Sequence, residues 1–282
     1  MERFLTAAGA VALAAAAATT AAQGPTRVVA VGGAVTEIVY ALGAGERLVA
    51  VDTTSVYPEA ALKLPKVGYM RTLSSEGVLA MRPQAVIAAA EAGPKSAIAQ
   101  IELTGVPVTT VPSDHNLDTV RVRVRKVAAT LGLPGRGEEL EKRIAAQWTD
   151  AERAVASYAT RPRVLFLLAH TGNSALVAGE DTAADAMIRY AGATNAFAGV
   201  NGYKPLTAEA AIAAAPDIVL ITTEGLETIG GADRLWSRPG LALTPAGKAK
   251  RVVAFDALYL LGFGPRMPQA VKDLAARLHG AT

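Results

Sequence analysis

Short runs of β-branched and small apolar residues alternate along the chain with stretches whose apolar positions recur every three or four residues. The first run, Arg27-Val-Val-Ala-Val31, ends in Gly32-Gly33. Val35, Ile38, Val39 and Leu42 then share one face of a predicted helix that Gly43 closes. Leu48–Val51, 86–90 and 106–111 are further strand candidates, with a helical stretch around 97–103. The same order restarts at Arg163–Leu168, turns at Gly172-Asn173 and continues through a helix over 183–191 that stops at Gly192. Ile218–Thr222 and Val252–Phe255 supply two more strands. Strand–helix alternation of this kind predicts an α/β protein with mostly parallel sheets covered by helices.

Between the halves the pattern is helical throughout. Residues 117–131 read as one helix, closed by Gly132-Leu-Pro134-Gly135, and 138–158 as another, with Leu140, Ile144, Trp148 and Val155 at helical spacing. A helix of some 20 residues spans about 30 Å, which makes it a strut. The predicted organisation is therefore an N-terminal α/β lobe over 25–116, a helical block over 117–160 and a C-terminal α/β lobe over 161–282. Two Rossmann-like lobes on one rigid helix enclose a cleft that moves little.

An internal repeat supports the division. Leu73-Ser-Ser-Glu76 to Pro83-Gln-Ala-Val-Ile87 can be laid over Leu206-Thr-Ala-Glu209 to Pro216-Asp-Ile-Val-Leu220. Each copy has Ser or Thr before a helix, Glu in its first turn and Pro seven residues after that Glu, which describes a capped helix feeding a buried strand. Gly68-Tyr69 stands before the first copy and Gly202-Tyr203 before the second, as expected of a duplicated lobe.

Composition narrows the function. With 282 residues, 51% hydrophobic, the chain suits a large core. A net charge of +3 and an aromatic content of 5% give no basic stripe with interleaved rings, so nucleic acid is not an expected partner. The absence of cysteine excludes disulfides, thiolate metal sites, thiol catalysis and cysteine-anchored lipidation. At the start, Met1-Glu2-Arg3 precedes an apolar run over 4–18 and then Thr19-Thr20-Ala21-Ala22-Gln23. Thr20 and Ala22 fit a small-residue cleavage site, so 1–22 reads as a cleaved signal peptide that exports the chain. A membrane anchor would want roughly 20 apolar residues.

Candidate chemistry is sparse. His115, His170 and His279 are the only histidines, too few for a closed divalent-metal site. His170 follows a strand near Ser174, but the chain has no Gly-x-Ser-x-Gly elbow, no HExxH and no phosphate loop. Asp114-His115 reads as turn chemistry. An enzyme is not expected. Arg121, Arg123, Arg125 and Lys126 fall in one predicted helix and read as a solvated face. Tyr69 is more informative, because Gly68-Tyr69-Met70-Arg71 forms a loop before a helix at a lobe edge. A phenol titrates near 10, about three units above neutrality, and binds iron well only where a hard cation and a neighbouring positive charge favour the phenolate. Arg71 could supply that charge and ferric iron the cation, tyrosine being an axial ligand of haem. From these residues alone, an amphipathic tyrosine with its hydroxyl in water is the better reading.

The stretch from Val67-Gly-Tyr-Met-Arg through Met81-Arg-Pro83 resembles the haem-binding periplasmic proteins of bacterial haem ABC importers, receptors of the helical-backbone class. Ala178-Gly-Glu-Asp-Thr to Met187-Ile188, Gly202-Tyr-Lys-Pro-Leu206 and Leu260-Leu-Gly-Phe-Gly-Pro-Arg266 carry the resemblance through the rest of the chain. The two-lobe pattern alone fits ferric-siderophore and cobalamin receptors as well, and His170 leaves an exported hydrolase as a further alternative. The resemblance implies that ferric haem, one or two per chain, is the transported ligand. It implies Tyr69 as the axial iron ligand and Arg71 as a basic neighbour that tunes the phenolate or meets a propionate. His170 falls where some members ligate a second, stacked haem. Tyr203 and Lys204, on the second lobe's counterpart of the Tyr69 loop, are propionate candidates, and Trp236 and Phe263 are either pocket or core. Glu76 and Glu209 match surface glutamates, one per lobe, that dock on an inner-membrane permease dimer with its ATPase; the receptor itself is implied to be a monomer.

Overall fold

The computed structural model describes residues 24–169 and 175–280. The first half runs β1 (Val28–Val31), α1 (Gly33–Ala41), β2 (Leu48–Val51), α2 (Glu59–Leu62), α3 (Ser75–Ala80), β3 (Ala85–Ala89), α4 (Lys95–Leu103) and β4 (Val108–Val111). Then come α5 (Leu117–Thr130) and α6 (Pro134–Ala156). The second half starts with β5 (Arg163–Leu168), β6 (Leu176–Ala178), α7 (Ala183–Tyr190), β7 (Thr194–Asn195) and β8 (Tyr203–Pro205). It continues through α8 (Ala208–Ala214), β9 (Ile218–Thr222), α9 (Thr223–Thr228), α10 (Ala232–Trp236) and α11 (Pro245–Lys248). The last elements are β10 (Val252–Phe255), α12 (Ala257–Leu261) and α13 (Met267–His279).

The first sheet is parallel, in the order β2-β1-β3-β4. In the second, β10, β9, β5 and β7 repeat that parallel arrangement, and an antiparallel pair, β6 and β8, extends it beyond β5. The duplication seen in the sequence holds down to register: Val28 pairs with Ala85 in one lobe and Val164 with Ile218 in the other, the same positions of the repeat. It also holds for single hydrogen bonds. Arg27 donates to the carbonyls of Met81 and Arg82, and Arg163 to that of Ala214, so each guanidinium caps the C-terminal end of its lobe's repeat helix. Ser74 and Thr207 cap the N-termini of those helices, accepting from the N–H of Gly77 and Ala210.

Both faces of the parallel strands at the centre of each sheet are buried, as parallel sheets require. Val28 and Ala30 of β1 enter one apolar cluster, Val29 and Val31 another. The first cluster passes through Leu140 and Ile144 of α6 to Val164, Phe166 and Leu274, so one core spans both halves. The strut is longer than the sequence pattern predicts: α6 has 23 residues and begins at Pro134, whose missing N–H costs nothing at a helix start. Gly135, which reads as part of the break between the helices, lies within it, as does Gly137. At Gly137 a Cβ would stand 2.6 Å from Ala128 Cβ, so glycine is what lets α5 and α6 touch.

Two polar links tie the C-terminal lobe to the N-terminal one. Arg266 grips the buried Glu37 through Nε and Nη2, both at 3.0 Å, and through its backbone N–H at 3.2 Å. Its guanidinium also lies 3.5 Å over the Tyr57 ring. Arg123 of α5 donates to the carbonyls of Gly262 and Phe263 at 3.0 and 2.9 Å. Phe263 has φ 51°, a left-handed conformation uncommon for a side chain of its size, and Arg123 holds its carbonyl there.

Candidate functional site

A cavity of about 470 Å³ lies where the carboxyl ends of the strands of both lobes meet, the usual place for a ligand in open α/β sheets. From the N-terminal lobe it is lined by the first turn of α1 (Gly32 to Val35), by Thr54 and Val56 after β2, by Tyr69, Met70 and Arg71, and by Ala89, Glu91 and Val111. Arg123 of α5 completes that side, and the other lobe supplies Glu224, Ala257, Leu258, Leu261 and Gly262. The walls are mostly apolar, with a few charged groups spaced around them.

The floor is held in place by Asp52, fully buried after β2. Its Oδ1 accepts from the Gly32 N–H and the Ser55 hydroxyl, both at 2.8 Å, and its Oδ2 from the Thr54 N–H at 2.9 Å and hydroxyl at 2.6 Å. Four donors satisfy the carboxylate and fix the start of α1 against the loop after β2. Leu258 closes the floor from the second lobe: a Cβ at Gly33 would stand 2.6 Å from its Cδ1, so the lobes meet there without room for a side chain.

Tyr69 lies on this cavity, with 45% of its surface exposed, in the loop that leads to α3. Gly68 before it has φ 99° and Gly202 before Tyr203 has φ 71°, so both copies of Gly-Tyr use a left-handed glycine to turn the chain. The turns are otherwise alike: Lys66 bridges Val51 in one lobe, Asn201 bridges Glu180 in the other. In the second lobe, however, the tyrosine enters strand β8, whereas in the first it stays in a loop. Tyr203 and Arg71 act on each other. Burial pushes the Tyr203 phenol above its ordinary value and the Arg71 guanidinium, close enough to act on it, draws it back. Lys204 is exposed, and as the next residue of β8 it points to the opposite face of the strand from Tyr203.

Several expectations change here. Arg123 does not belong to a solvated face: it is 5% exposed and donates through Nε to Pro112 at 2.6 Å as well as to Gly262 and Phe263. Its neighbours behave otherwise, since Arg125 is exposed and pairs with Glu141 at 2.8 Å. Trp236 and Phe263 are core residues and do not line the cavity. His115 packs edge-on against Phe263, ring centroids 5.2 Å apart. Burial, then Arg123, lowers its pKa against the opposing pull of Glu91 and Asp114. His279 is a packing residue, stacked on Tyr158 at 4.4 Å and bonded to Thr160 and the Ala191 carbonyl. His170, Ser174 and the turn at Gly172-Asn173 lie outside the described residues, as does the signal segment 1–22. Glu76 and Glu209 are both exposed at the starts of α3 and α8. Glu209's carboxyl is held below its usual value by its own backbone N–H and by the Thr207 hydroxyl.

The sequence reasoning overlooked Asp52, Glu91, Glu224 and Leu258. Asp52 alone left a trace, a carboxylate directly after a strand and followed by Thr53-Thr54-Ser55, the composition of a loop that hydrogen-bonds to itself.

Comparison with known proteins gives a consistent picture. The chain is 54% identical, with a TM-score of 0.87, to the periplasmic heme-binding protein BhuT in complex with two hemes, over 90% of this chain and 97% of that one. It is 44% identical, with a TM-score of 0.88, to the apo form of the periplasmic heme-binding protein RhuT from Roseiflexus sp. RS-1, with the same coverage. A Bacillus subtilis relative, the uncharacterized ABC transporter substrate-binding lipoprotein YvrC, is 28% identical over 88% of this chain and 78% of its own length. A family model described as periplasmic binding protein matches residues 28–259, nearly the whole of both lobes, and the chain belongs to that family.

Proposed function

We propose that this protein binds ferric haem in the cleft between its lobes and hands it to an inner-membrane ABC importer. The observation that carries the reading is Tyr69, a half-exposed phenol on a largely apolar cavity with Arg71 two residues away. The identity to BhuT and RhuT over nine-tenths of the chain supports the choice of haem over other ligands of the fold.

In this reading Tyr69 supplies the phenolate oxygen to the iron. Arg71, which lines the same cavity, is the basic neighbour that meets the phenolate or a propionate. The apolar walls, Val56, Met70, Leu258 and Leu261 among them, cover the porphyrin faces, and burial of that surface contributes most of the affinity. Tyr203, whose phenol feels the Arg71 guanidinium, hydrogen-bonds a propionate; Lys204 serves a propionate that extends outside the cleft. His170 ligates a second haem stacked on the first. Residues 25–116 and 161–282 act as the two ligand-gripping lobes, with 117–160 as the strut. Residues 1–22 direct export to the periplasm and are removed. Glu76 and Glu209 dock the loaded monomer on the permease dimer, whose ATPase drives uptake, and the receptor turns over no substrate.

Titrating the purified chain with hemin tests this. The expected spectrum is that of tyrosine-ligated ferric haem, with saturation at two equivalents in the parent chain and one in His170→Ala. A chain that gives no haem spectrum but retains a ferric siderophore or cobalamin would overturn the reading, and so would ester hydrolysis without haem. Saturation of the parent at one equivalent would remove the role given to His170.

A further inference from the structure

Arg123 is a buried cation on the cleft floor with part of its fork unused. Its Nε and Nη1 donate to Pro112, Gly262 and Phe263, three neutral carbonyls. Among the described residues no carboxylate forms an ion pair with it, and none accepts from Nη2. Among the described residues every side-chain nitrogen and oxygen closed off from solvent does have a partner. Nη2 therefore keeps an opening, and the space that Arg123 lines is the ligand cavity. The burial is costly to the cation: it lowers the guanidinium's pKa, and only the more distant fields of Glu91 and Asp114 oppose it. A guanidinium that is 5% exposed and matched by no counter-ion is an incomplete site for an anion.

The surroundings agree. The first turn of α1 opens on the same floor and adds the positive end of its dipole. Two carboxylates also line the cavity. Glu224 is engaged with the Ala257 N–H at 3.3 Å, and Glu91 is exposed. Neither occupies the Arg123 fork.

We propose that the free Nη2 edge of Arg123 receives a carboxylate of the bound ligand, so that haem is read at the cleft floor by one propionate as well as at Tyr69 by its iron. The inference rests on the haem reading above and adds a determinant of specificity to it. A porphyrin whose carboxylates are esterified would leave the buried cation facing an uncharged group, and a site built for a charged partner rejects such an analogue strongly.

The experiment compares ferric haem with its dimethyl ester, both titrated into the full chain and followed by the tyrosinate–iron spectrum. The parent should prefer the free acid by about tenfold or more, the range of a charge-assisted hydrogen bond. Arg123→Gln should bring the two ligands to within a few-fold of each other. Arg121→Gln, which removes the same charge from the exposed side of α5, should keep the preference. Equal weakening of both ligands in Arg123→Gln would make Arg123 purely a staple of the Gly262–Phe263 turn and overturn the proposal. If that variant does not fold, Arg123→Lys and the parent decide the matter, because a parent that binds acid and ester alike overturns it unaided. Failure of the haem reading is distinguishable: neither porphyrin would then give the spectrum.

Discussion

At the residue scale, Tyr69 is the proposed iron ligand because it lies on the cavity and outside the core. The side chain is 45% exposed and enters no apolar cluster, so its removal takes little from the core. Tyr69→Ala should weaken ferric haem binding by about a hundredfold or more, as expected when a coordinate bond is lost, while the melting free energy stays within about 0.5 kcal/mol. A hemin titration beside a thermal melt checks both; unchanged affinity would remove Tyr69 from the iron. His115 makes the opposite case, a residue that matters to the fold. Its pKa in the folded chain lies below the ordinary value of about 6.5, so on acidification the unfolded chain takes up a proton that the folded chain refuses. Stability should therefore fall as pH drops below about 6.5 towards the lower folded value, and His115→Gln should flatten that part of a denaturation–pH profile. Tyr69 was legible because Gly-Tyr-x-Arg is a local motif. Arg123 was not, because its carbonyl partners come from 11 and 140 residues away, and a sequence window sees only spaced charges on a helix.

At the scale of elements, β1 to β5, β9 and β10 sit where the apolar runs placed them, and the two copies of the repeat share the register of their first strand pair. Departures occur where tertiary contact overrides local preference. Gly135 reads as the end of a loop, yet α6 already contains it, together with Gly137, where α5 packs against it. Substituting valine there forces a branched side chain into a gap that ends 2.6 Å from Ala128 Cβ, and its helix propensity gives little in return. Gly137→Val should cost about 1–3 kcal/mol, the range for overpacking, read as a lower denaturation midpoint with haem stoichiometry unchanged. Strands β6 and β8 escaped notice for a simpler reason. Each has three residues, too few for a two-residue period to emerge from the composition around it.

The whole molecule sets how two distant surface groups can act together. The Glu37–Arg266 grip, the Arg123 link and a core continuous through α6 hold the lobes in one arrangement. Glu76 and Glu209 consequently keep a fixed separation, each exposed at the start of equivalent helices. A single exposed ion pair is worth about 0.2–1 kcal/mol, so either glutamate alone is a weak contact. Two contacts on a rigid body behave differently: once one is made, the other is already positioned, and its effective concentration is high. Changing one glutamate should therefore have a mild effect. Glu76→Arg together with Glu209→Arg converts both attractions to repulsions and should abolish haem uptake, or stimulation of the importer's ATPase in liposomes, while the hemin titration of the free protein stays normal. Normal uptake by the double variant would mean that docking rests elsewhere. Loss of haem binding would instead make the two residues parts of the fold, a role their exposed positions at the helix starts argue against.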